Sequence, residues 1–86
     1  MAIRGRLVYS HLRPLDEYMS RKGWWRIPTK GTHEVRRYVK RGKKSVLIFK
    51  RGTNPSLTVQ DKDANLLTEF MRQLRRRDDG TYFIQW

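Results

Sequence analysis

His33 is the residue of this chain whose type best suits acid–base chemistry near neutral pH, because an imidazole gains or loses a proton there. It follows Lys30-Gly31-Thr32 and precedes Glu34, with Arg36 and Arg37 just beyond. An imidazole among cations suits a phosphodiester. Metal-independent RNA cleavage uses the ribose 2′-hydroxyl as nucleophile. It needs a base for that proton, an acid for the leaving 5′-oxygen, and cations for the charged phosphorane. His33 could supply the proton transfer, and Lys30, Arg36 and Arg37 the cations. His11 is the only other histidine, and nothing in the sequence places it nearby, so the acid is unassigned. The plainer alternative makes His33 a turn residue that bonds the backbone or touches phosphate.

The composition explains why a polyanion comes to mind. Twenty basic residues face eight acidic ones in 86 residues, a formal net charge of +12. No acidic residue falls between Val35 and Gln60. That interval carries Arg36, Arg37, Lys40 and Arg41, then Lys43, Lys44, Lys50 and Arg51. Charge of one sign on this scale repels itself and attracts nucleic acid through counterion release. With no cysteine and two histidines, neither a disulfide, a metal site nor a cofactor is expected. The longest apolar run, Val46 to Phe49, is too short to span a bilayer, and the N-terminus lacks a signal-peptide core. We expect one domain over residues 1–86, cytoplasmic, with no membrane partner.

The elements that must position these residues can be read in order. Leu7-Val8-Tyr9 is β-prone, either an edge strand or an arm. A first helix is expected from Pro14, with Asp16 and Glu17 in its first turn, Arg21 and Lys22 in its last, and Gly23 as its stop. Trp24-Trp25-Arg26-Ile27 reads as a strand. One tryptophan should be core and the other, by the period of two, on the opposite face, free to stack on a base. We assign Trp24 to the stacking role. Thr29 to Thr32 is a turn, where Gly31 permits positive φ or close approach to phosphate. The next strand puts Val35, Arg37 and Val39 on one face and Glu34, Arg36, Tyr38 and Lys40 on the other. A hairpin at Arg41-Gly42 leads to a central strand, Ser45 to Phe49. Leu57 to Val59 reads as a further short strand. A second helix is expected from about Lys62 to Arg76, capped by Asp61, with Leu67, Phe70, Met71 and Leu74 as its apolar stripe. Thr81 to Trp86 is expected to pair with a sheet edge or with a second copy of the chain, giving a homodimer through terminal strands.

The order helix, strand, strand, strand, helix is that of the double-stranded-RNA-binding (dsRBD-like) fold. More narrowly, residues 12–76 resemble the HicA-type toxins of bacterial toxin–antitoxin pairs. The resemblance is carried by Gly23 and Trp24, by Gly31-Thr32-His33, and by the two basic strands that follow. Residues 1–11 and 78–86 lie outside it, and the stretch after Arg51 is longer than that family's. The resemblance implies an mRNA-cleaving ribonuclease with His33 catalytic, RNA rather than DNA as partner, and a HicB-type antitoxin that blocks the site. The expected fold is α+β: an antiparallel sheet of three or more strands packed on two helices, α-β-β-β-α, with extra terminal strands. The expected nucleic-acid contacts are Trp24, Lys30, Gly31 and Thr32, then Arg36, Arg37, Lys40 and Arg41, then Lys43, Lys44, Lys50 and Arg51. Two other functions stay open: a non-catalytic RNA- or DNA-binding module, and a small phage or mobile-element factor docking on an acidic host protein.

Overall fold

The computed structural model describes residues 7–60 and 64–86. A single 3₁₀ turn, Tyr9–His11, leads into helix α1 (Leu12–Arg21). Strands β1 (Trp25–Ile27), β2 (Glu34–Val39), β3 (Val46–Arg51) and β4 (Asn54–Gln60) follow. Helix α2 (Ala64–Gln73) and strands β5 (Leu74–Arg76) and β6 (Tyr82–Ile84) complete the order. Strands β1 to β4 form an antiparallel meander in chain order, and β5 and β6 a separate pair. This is the expected α+β architecture of two helices and an antiparallel sheet, enlarged by β4.

The core explains the arrangement. Leu15, Tyr18 and Met19 of α1 meet Tyr38, Val46 and Ile48 of the sheet and Leu67 and Phe70 of α2, all fully buried. Burying each of these side chains contributes about 1.5–3 kcal/mol. Helix α1 begins earlier than Pro14, so that Leu12 joins this face. Proline is tolerated there because the N–H it lacks has no partner in the first turn. No acidic residue lies in that turn; Asp16 and Glu17 fall deeper in the helix.

Gly23 stops α1 as expected, at φ +88°. The Trp24 N–H donates to the Met19 carbonyl (2.9 Å) and the Gly23 N–H to the Ser20 carbonyl (3.1 Å). This pairing reverses the chain and brings the residue after glycine back against the last helical turn. Trp24 is therefore core, at 8% exposure, and Trp25, on the opposite face, is 62% exposed. The assignment of Trp24 to stacking is corrected: the exposed ring belongs to Trp25.

The chain ends differ from expectation. Helix α2 stops at Gln73, and Leu74 to Arg76 turn into β5, pairing Leu74 with Ile84. The turn between β5 and β6 is fixed by Asp79, which accepts from the Thr81 N–H (2.9 Å) and hydroxyl (2.7 Å). These bonds hold the Asp79 carboxyl below its ordinary pKa. The apolar C-terminal segment thus pairs with β5 of its own chain and not with the main sheet's edge. Trp86 then stacks on Tyr18 of α1 (5.6 Å between centroids, 9° between planes) under the Arg21 guanidinium. At the other end, Leu57 donates its N–H to the Leu7 carbonyl (2.8 Å) and Val8 bridges to Ser56, so the first described residues do line the edge of β4. The expected cap Asp61 lies outside the described residues.

Candidate nucleic-acid interface

Strand β2 carries the residues of interest at its two ends. It enters from the turn that holds His33, which is exposed together with Lys30, Gly31 and Thr32. Glu34 builds that turn. Its carboxylate, only 3% exposed, accepts from the Lys30 backbone N–H (2.9 Å) and from both forks of Arg37 (3.0 and 2.7 Å). Hydrogen bonding from Arg37 holds the Glu34 carboxyl below its ordinary range and raises Arg37 in return. The His33 carbonyl accepts the Lys50 N–H (2.8 Å), which sets Lys50, with Arg51 next to it, on the strand beside His33.

Glu34 and Arg37 meet because β2 is bulged. Glu34 pairs with Phe49 and Arg36 with Ile48, leaving Val35 as the extra residue. The bulge shifts the alternation by one. Glu34 therefore shares the face of Arg37, not that of Arg36 as a strict period of two requires, and Val35 packs against the core.

Arg36 turns to the helix side. Its Nε donates to Asp16 Oδ1 (3.1 Å), which also accepts the Tyr38 hydroxyl (2.6 Å), while Arg26 donates to Asp16 Oδ2 (2.9 Å). Tyr38 is fully buried, and burial, with the Asp16 hydrogen bond, pushes its pKa well up. Arg36 and Arg37 are thus structural ion-pair partners, and among the described residues the cations near His33 without an ion pair are Lys30, Lys50 and Arg51.

His11 is elsewhere in the fold. It is 6% exposed, stands edge-on against Tyr82 (4.5 Å), and its Nδ1 accepts the Val8 N–H (3.2 Å). Burial lowers its pKa, favouring the neutral form that this bond requires. It serves the core, and no second imidazole stands beside His33.

The other end of β2 is the hairpin. Lys40 Nζ donates to the Lys22 carbonyl (2.8 Å) and so caps α1. Arg41, Lys43 and Lys44 are exposed around Gly42, whose φ of +77° demands glycine. Gly31 has no positive φ, and a Cβ there would meet only Glu34 Cβ at 4.0 Å, so open space lies above it. The exposed cations of the His33 turn, the end of β3 and the β2–β3 hairpin therefore form two groups at opposite ends of β2, about 20 Å apart at the rise of a strand. Among the described residues no three histidine or acidic side chains come together as metal ligands would.

Sequence reasoning missed Trp25 as the exposed ring, Glu34 as the brace of the turn, and Asp16 as the anchor of Arg26 and Arg36. A usable signal existed for the first: a glycine-terminated helix places the following residue against its own last turn. No family model matches the chain, and no curated protein or solved structure matches it either. No helix among the described residues is long and apolar enough to cross a membrane.

Proposed function

We propose that the protein binds RNA and cleaves it without metal, His33 acting as the proton-transferring group. The observation that supports this most is the exposed turn at residues 30–33, braced from beneath by a buried carboxylate and flanked by Lys50 and Arg51. A rigid turn bearing an accessible imidazole, open glycine backbone and unpaired lysines suits a phosphodiester approached from solvent. Lys30 and Lys50 replace Arg36 and Arg37 as the cations available to a phosphorane. A HicB-type acidic partner covering this turn would silence it.

One observation favours a second reading, a non-catalytic RNA-binding module. Protonating the leaving oxygen needs an acid, and His11 is locked in the core. The two readings separate on one experiment. Labelled single-stranded RNA is incubated with purified protein and chelator, in parallel with His33→Ala. We expect cleavage by the wild type, loss of at least a hundredfold in the variant, in line with general acid–base contributions, and unchanged binding. Retained cleavage in the variant would remove His33 from the mechanism. A salt-sensitive shift with no cleavage in either would leave the binding module.

A further inference from the structure

The sheet has a face that neither helix covers. The pairings place Trp25 and Ile27 of β1, Val39 of β2, and Leu47 and Phe49 of β3 on the side opposite the core residues Tyr38, Val46 and Ile48. Ile27, Val39, Leu47 and Phe49 are half-buried and none packs against the core. Trp25 is 62% exposed and, among the described residues, has no ring or cation partner. A contiguous apolar patch on so charged a protein marks a binding surface. Between the ends of this face the charges of the described residues in the paired strands are Glu34 and Arg37, which neutralise each other.

We propose that this open sheet face is a stacking platform for the bases of single-stranded RNA, with Trp25 as its principal ring and the two basic ends of β2 gripping the flanking phosphates. The proposal rests on the RNA-binding reading above and adds the site and the form of the ligand. Charge complementarity selects the occupant. Lys30 and Arg51 lie at one end of the face, with Lys50 beside them at the rim of the core side opposite Leu57, and Arg41, Lys43 and Lys44 lie at the other end, with apolar surface between. A duplex would offer phosphates to the ends but keep its bases stacked inside. A single strand offers both, and aromatic rings take any base because every base has a π-face. Four-stranded sheets that bind RNA this way stack two or three bases, which the length of β2 accommodates.

The test uses fluorescence anisotropy with three labelled 2′-O-methyl oligonucleotides, which resist cleavage: a uridine-rich single strand, a duplex of the same length, and a single strand with abasic central positions. The wild type is expected to prefer the intact single strand. Trp25→Leu should weaken that binding about tenfold or more with an unchanged salt slope, because no phosphate contact is lost. Trp25 is exposed, so the variant should keep the wild-type Tm. The abasic strand should bind the wild type as weakly as the intact strand binds the variant, which reads out stacking without altering the protein. Equal affinity of wild type and Trp25→Leu, equal affinity for abasic and intact strands, or preference for duplex would each overturn the platform while leaving RNA binding standing. No binding of any oligonucleotide by the wild type would instead overturn RNA binding itself, and leave the face to an acidic protein partner.

Discussion

Val8 donates its backbone N–H to Nδ1 of His11, and that bond exists only while the nitrogen carries no proton. Burial has already lowered the His11 pKa, so the folded state binds this proton less readily than the unfolded chain. Stability is then greatest above the unfolded value near 6.5. It falls as pH drops through the lower folded value, because the unfolded state takes up the proton first. We expect Tm to decrease from pH 7.5 to pH 5, and His11→Asn, whose Oδ1 can accept the same N–H at any pH, to flatten that dependence. A Tm profile identical in wild type and variant would show that His11 does not carry the effect. The same residue type is exposed at position 33 and buried at position 11, and only the fold distinguishes them: a lone histidine in a sequence carries no mark of its burial.

At the level of elements, the chain announces what local chemistry decides. The glycine stop after α1, the basic hairpin at Gly42 and the apolar strand at Val46 to Phe49 follow from turn residues and runs of β-branched side chains, and the structure has them where expected. What the sequence concealed depends on distant partners. The stripe Leu67, Phe70, Met71 and Leu74 continues the helical period, yet Leu74 leaves the helix to pair with Ile84, a partner no local window contains. The bulge at Val35 was equally hidden. A period of two assumes an unbroken strand, and the extra residue appears only when β2 is laid against β3. That one residue gives Glu34 its partner and the His33 turn its floor, so the candidate site was legible in its residue types but not in its geometry. The two tryptophans show the intermediate case, in which alternation requires them to part and the helix stop decides which goes inward.

Across the whole molecule, the division of charge has a measurable consequence. Each phosphate neutralised on a single strand contributes about 0.7 to the slope of log affinity against log salt. Replacing Arg41, Lys43 and Lys44 together by glutamine is therefore expected to lower that slope by about 2 units, and so is replacing Lys30, Lys50 and Arg51. A strand that touched only one end would respond to one triple variant and ignore the other. Tyr18 raises a different matter. Burial, with the nearby charge and hydrogen bond of Glu69, pushes its phenol up to about 12, and its ring meets Phe70 on one side and Trp86 on another. Every one of these neighbours is translated long after α1. On the ribosome, the first helix and the basic strands emerge before the residues that close their core, so the domain is expected to fold only once the chain through Trp86 is outside. Nascent chains stalled with residues up to about Gln60 outside the ribosome should thus be cut readily by protease, and chains extended through Trp86 should resist. Protection of the shorter chains would show that the sheet stands without its late partners.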